Sequence, residues 1–183
     1  MYTIELVTTT EQIQQIAKLS AINLRSVIDE HTKIDQGFLT WEYTPRLLAA
    51  MHEFAPSVIA IDEGNVVGYA LVATHAMAEV HTEMKLMLDN LSTLSYLGHP
   101  MNDYRYYMMG QICIAQEHRG KGLFEKLYQH HRTVYSNQFD MLMTEVSTSN
   151  HRSMRAHEKV GFKTIHTYHD HMDEWNVVVW DWR

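Results

Sequence analysis

Cysteine is almost missing from the 183 residues. Cys113 is the only one, so no internal disulfide can form and the fold must rest on an apolar core. Glycine and proline are scarce, at eight and three, which excludes collagen-like and low-complexity chains. No long hydrophobic run is present; even Val66 to Ala78 falls short of the ~18 apolar residues of a spanning helix. The opening residues carry Glu5 and no basic start before an apolar block, so they do not read as a secretory leader. With one thiol, the expected compartment is the reducing cytoplasm. Positive charge is also short: 15 Lys and Arg stand against 22 Asp and Glu, a formal charge of −7. This argues against duplex nucleic acid, which needs a basic face, but leaves room for a small anion at a local site.

What is present suffices for one domain over residues 1–183, because 45% of the chain is hydrophobic. Tyr2–Val7 alternates as a strand, and Glu11–Ile28 has helical apolar spacing after the N-cap candidates Thr8–Thr10. A loop through Gly37 leads to a short helix after Pro45. Ser57–Ile61 and Val66–Ala73 flank Asp62-Glu63-Gly64-Asn65, a hairpin signal. Met84–Leu97 reads as a helix broken at Gly98-His99-Pro100. Then follow strand Tyr106–Ala115, helix Gly122–Tyr135, strand Met141–Val146, helix Asn150–Val160 and a pair of strands, Lys163–Tyr168 and Trp175–Trp182. Strands alternate with helices and the end is a hairpin, so the class is α/β or α+β around one mixed sheet.

The chemistry concentrates between Gln111 and Phe162. A strand runs into Arg119-Gly120-Lys121-Gly122 and straight into a helix. Glycines let the backbone bend and let a ligand approach, and free amides at a helix start suit a phosphate. The spacing fits neither the Rossmann nor the Walker pattern. The alternative is an ordinary connector with solvated basic residues.

Two motifs resemble the GNAT superfamily of acyl-CoA N-acyltransferases. Arg119-Gly120-Lys121-Gly122-Leu123-Phe124 follows its phosphate signature, except that Phe124 stands where a small residue is usual. Asn150 opens a helix ending in Glu158-Lys159-Val160-Gly161-Phe162, the second signature. The resemblance implies a mixed, mostly antiparallel seven-stranded sheet splayed between its fourth and fifth strands, with four or five helices. Acetyl-CoA would lie in the opening. Backbone groups of Ile112, Cys113 and Ile114 would pair with pantetheine, the amides from Gly120 to Glu125 would take the pyrophosphate, and Asn150 would contact the cofactor from across the cleft. The implied activity is acetyl transfer to a primary amine of a small molecule or a peptide N-terminus. The alternative is a catalytically silent acyl-CoA-binding module. No metal, nucleic acid or membrane enters that picture, and a homodimer is a further expectation.

Amine acylation needs a base for the amine and a proton for the leaving thiolate. Glu145-Val-Ser-Thr-Ser-Asn150 is similar to the corresponding stretch of bacterial ribosomal-protein N-terminal alanine acetyltransferases, whose Glu is the base. Where that group has its acidic Tyr, this chain has His157. Glu145 is thus the candidate base and His157 the candidate acid; a solvated strand residue and a packing histidine are the alternatives. Cys113 reads as a small core residue rather than a nucleophile. Asp35-Gln36-Gly37-Phe38, Trp41 and Tyr43 fall where an acceptor pocket is expected, and Tyr104, Tyr106 and Tyr107 could face it. His166, His169, His171 and Asp173 cluster in sequence, but a metal needs convergent geometry too.

Overall fold

A computed structural model describes residues 1–79 and 82–183, with every side chain among them except those of Ile34, Asp35 and Glu83. Among the described residues, nine strands and six α-helices follow in the order β1 (Thr3–Leu6), α1 (Thr10–Ala21), α2 (Glu30–Gln36), α3 (Pro45–Phe54), β2 (Val58–Asp62), β3 (Asn65–Ala73), α4 (Thr82–Ser92), β4 (Ser95–Tyr96), β5 (His99–Pro100), β6 (Tyr106–Ile114), α5 (Leu123–Tyr135), β7 (Met141–Ser147), α6 (His151–Val160), β8 (Lys163–His169) and β9 (Glu174–Asp181). Seven strands form one sheet in the order β1-β2-β3-β6-β7-β9-β8. Every neighbouring pair is antiparallel except β6 and β7. No described helix is long and apolar enough to cross a membrane.

Side-chain alternation explains why β2 and β3 are apolar from Val58 to Ile61 and from Val66 to Ala73. Ile59, Tyr69 and Leu71 face a core built with α1, α3 and α4, while Val58, Ala60, Ala70 and Val72 face one built with α5. Both faces are covered, so neither strand keeps a polar side. The hairpin between them turns through Glu63 and Gly64, both at positive φ, as its Asp-Glu-Gly-Asn sequence predicts.

The parallel pair positions the site. The ladder joins Tyr106 to Met141, Tyr107 to Leu142 and Met108 to Met143, and goes no further. Thr144 then donates its hydroxyl to the Met109 carbonyl at 3.0 Å. Beyond this point β6 and β7 diverge, and the sheet is splayed between its fourth and fifth strands.

Four local readings are corrected. The first helix stops at Ala21 rather than Ile28, because Asn23 Nδ2 caps the Leu19 carbonyl at 2.9 Å and buried Leu24 bridges to Leu39. The expected loop before Gly37 contains α2, capped by Asp29. α4 ends at Ser92, not Leu97. Leu97 and Gly98, both at positive φ, instead turn the small β4–β5 hairpin.

Candidate active site

The donor side of the opening begins with β6. A bulge sets Gly110 and Gln111 against Leu71, since Ala70 pairs with Ile112 and Val72 with Met109. Past the bulge, the Ala115 amide donates to Val67 on β3, and the Ile114 carbonyl turns the other way to accept from Arg119 Nε at 2.9 Å. Alternation therefore points the main-chain groups of Ile112 and the amide of Ile114 into the opening. Cys113, between them, lies opposite Tyr69 with its main-chain groups turned towards β3, and it lines the same opening as Ile112 and Ile114. Its buried thiol is pushed up to about 12 by desolvation, which leaves no thiolate.

The turn after β6 has two left-handed glycines, Gly120 (φ 74°) and Gly122 (φ 75°). A Cβ built at either would meet nothing within 4 Å, so the space in front of both is open. Gly122 is the N-cap of α5 and carries no capping side chain, leaving the amides of Leu123, Phe124 and Glu125 for a ligand. Phe124 packs its ring against Tyr128 and His157, each 5.1 Å away. This explains how a large residue is tolerated at that place. Arg119 holds the turn rather than projecting from it: besides Ile114 O, it donates to Gln36 Oε1 at 3.1 Å and Asn23 Oδ1 at 2.8 Å. The Lys121 ammonium lies over the Tyr2 ring, and neither it nor Glu125 lines the cavity.

That donor cavity, of about 490 Å³, runs from the glycine turn to α6, where Arg152, Arg155 and Lys159 line it. Asn150 stands at its inner end. Its Oδ1 caps α6 through the Ser153 amide at 3.1 Å, and its Nδ2 donates to the Phe38 carbonyl at 3.3 Å. Gly37, with φ 76°, packs so close that a Cβ would lie 2.8 Å from Asn150 Oδ1. Asn150 thus fastens the α2–α3 loop to the cleft, a role not expected from the sequence.

A second cavity, of about 460 Å³, adjoins the first and shares Phe38, Leu39, Ile112, Asn150 and Ser153 with it. Glu145 of β7 lines it beside Tyr168 of β8. Glu145 Oε1 is buried with no hydrogen-bond partner. Burial raises its carboxyl to about 7, Asp170 adds to the rise, and a hydrogen bond from Tyr168 opposes it. Trp41 and Phe38 line this cavity, with the Trp41 carbonyl held by Gln111 Nε2 at 2.8 Å. Tyr43 is buried behind it, donating to Gly110 O at 3.3 Å. The Asp35 side chain falls outside the described residues. Tyr106 and Tyr107 are buried, and Tyr104 donates to Tyr96 O at 2.7 Å. Tyr168 and the α4 residues Leu86, Met87 and Asn90, which also line the cavity, were missed.

His157 is only 1% exposed. Its Nδ1 donates to the Ser153 carbonyl at 2.8 Å, which leaves Nε2 to accept from the Tyr128 hydroxyl at 2.6 Å. Burial lowers its pKa to about 4, so the ring is neutral at pH 7. Although it touches the cavity wall, its one proton is committed to the helix, and the expected acid role has no geometric support. Among the described residues, no group of three His, Cys, Asp or Glu could hold a metal ion; His166 stacks on Tyr168 and His169 pairs with Glu174.

An open strand edge, a left-handed glycine turn at a helix start and an Asn-capped helix across a splayed sheet define an acyl-CoA transferase architecture. The acetyltransferase (GNAT) family model matches residues 24–162, and the chain belongs to that family. Its fold is shared by the ribosomal-protein-S18-alanine N-acetyltransferase from Escherichia coli, with a TM-score of 0.65 at 12% identity over 99% of this chain and 94% of that one. An N-acetyltransferase from Staphylococcus aureus Mu50 gives 0.62 at 17% identity, over 99% and 98%. A phosphinothricin acetyltransferase from Sinorhizobium meliloti, in complex with AcCoA, gives 0.62 at 15%, over 98% and 88%. No curated protein matches the chain in sequence at a significant level.

Proposed function

We propose that the protein is an N-acetyltransferase that moves an acetyl group from acetyl-CoA directly to a primary amine. One observation carries the reading: a desolvated carboxylate, Glu145, with an unpartnered oxygen in a cavity that adjoins the donor groove. The donor groove fits acyl-CoA. The amides of Leu123 to Glu125, in front of open glycines, would hold the pyrophosphate, and Arg152, Arg155 and Lys159 add positive charge. Ile112 and Ile114 would receive the pantetheine arm as an added strand. Acetyl-CoA supplies the activated acyl group as a thioester.

The chain's own residues handle protons and position. With its pKa near 7, Glu145 can take a proton from an ammonium at neutral pH, directly or through water. Once protonated it is also acidic enough to supply one to a thiolate, so no separate acid is required. Tyr168 orients the carboxyl through its hydrogen bond. His157 supports the wall, through Tyr128 and Ser153. A module that merely bound acyl-CoA would gain nothing from a carboxylate buried at the expense of stability.

The test is thiol release from acetyl-CoA across a panel of amines, with Glu145→Gln alongside. Wild type should turn over at least one amine. The variant should lose ~10²–10⁴-fold in kcat, the range for general bases, while still being stabilised by CoA. Full turnover by the variant would overturn the assignment.

A further inference from the structure

β3 and β6 are antiparallel neighbours, which a two-residue turn can join. This chain instead leaves the sheet after Ala73 and returns at Tyr106, carrying α4 on the way. Met84, Met87, Leu88 and Leu91 anchor α4 in the core. Its other side brings Leu86 and Asn90 to the Glu145 cavity. Leu86 is 60% exposed at the mouth, and Met172, which also lines the cavity, is 40% exposed. Two large apolar side chains therefore meet solvent where an acceptor has to enter.

The charges are equally one-sided. Glu145 and Asp170 line this cavity, and no Lys or Arg does so among the described residues. The adjoining donor cavity has Arg119, Arg152, Arg155 and Lys159. A carboxylate, phosphinate or phosphate on the acceptor would lose its water beside two acidic groups and find no Lys or Arg among the described lining, whose only other titratable side chains are His157, His171 and Tyr168. An apolar body finds Phe38, Trp41, Met87, Met109 and Trp175, and about 460 Å³ suits a small molecule.

We propose that the acceptor is a compact primary amine on an apolar body without anionic groups, selected by α4 and Met172. This deepens the acetyl-transfer reading and rests on it. The test compares kcat/KM for phenethylamine, for phenylalanine (the same body with a carboxylate) and for a tetrapeptide with a free apolar N-terminus. Wild type should prefer phenethylamine to phenylalanine by ~100-fold or more, the scale on which an apolar pocket rejects an added polar group. Leu86→Lys and Met172→Lys alter exposed positions and should leave stabilisation by acetyl-CoA intact. Each should narrow that preference several-fold by offering the carboxylate a partner. Equal or better turnover of phenylalanine or of the peptide overturns this inference alone. So does a preference that neither lysine moves. Stabilisation by acetyl-CoA with no thiol release on any acceptor overturns the transfer reading, and this inference with it.

Discussion

Replacing Glu145 by Gln should stabilise the protein at high pH while disabling it. The carboxyl titrates near 7 in the folded chain against 4.5 as the reference. Between those values the native state holds a proton that the unfolded state has released. Stability is therefore complete below 4.5, falls as pH rises towards 7, and stays reduced above it. At 1.36 kcal/mol per unit, ionising Glu145 in place costs up to about 3 kcal/mol. Gln keeps the shape and carries no charge, so Glu145→Gln should recover most of that at pH 8 and almost none at pH 4.5. For a chain of this length, ~3 kcal/mol corresponds to a rise of roughly 6–12 °C in Tm. Urea titrations of both proteins at the two pH values provide the measurement, since background titrations cancel in the difference. An equal gain at both pH values would show that the amide simply packs better. No gain at pH 8 would show that the carboxylate is adequately solvated, and the basis for a base with a pKa near 7 would fall.

The acid limb of kcat/KM should have its midpoint near 7 and stay in place in His157→Gln; a limb that moves with His157 would restore that residue to proton transfer. Wild-type stability should fall as pH drops from 6.5 towards 4, because His52, His131 and His157 are lowered to about 4, 3 and 4 by burial and must take up protons on unfolding. Each contributes up to ~1.4 kcal/mol per pH unit, which outweighs the opposing trend from Glu145, and a flat Tm over this range would contradict the neutral assignments. Gly122→Asp should abolish the thermal shift given by CoA, since it puts a carboxylate before the α5 amides at a left-handed position; an unchanged shift would make the turn a mere connector. Gly37→Ala should destabilise by ~1–3 kcal/mol through φ 76° and the contact with Asn150, and weaken CoA binding; wild-type melting and affinity would show that the segment yields freely.

The glycine turn and the Asn-capped helix of the candidate site were legible because they are local. Arg119 to Phe124 carry their conformation in two glycines, and Asn150 caps the helix that follows it. The acceptor half was not, because distant segments meet there. Tyr168 faces Glu145 only through the β7–β9–β8 pairing, and α4 reaches the cavity by an excursion whose destination leaves no mark on its spacing. Which edge the backbones of Ile112, Cys113 and Ile114 turn to was likewise hidden, because strand alternation tells only which residues share a face. His157 shows the limit of residue type as evidence, since the Ser153 carbonyl on its own helix holds its proton and Tyr128, from another helix, covers its other nitrogen. α2 escaped notice because seven residues contain only Ile34 as an apolar marker, leaving the Asp29 cap as its sole signal.

The three-pair ladder between β6 and β7 has a mechanical consequence. Among the described residues it is the one strand ladder between a four-strand block, β1, β2, β3 and β6, and a three-strand block, β7, β9 and β8. Past Thr144 the blocks stand apart like the jaws of a clothes-peg, with the short ladder as the pivot. A slender chain laid against Ile112 and Ile114 would act as a spacer between the jaws and restrain their rocking. Amide hydrogen exchange along the outer ends of β6 and β7 should then slow together when CoA binds, while the ladder itself, already closed, exchanges at an unchanged rate.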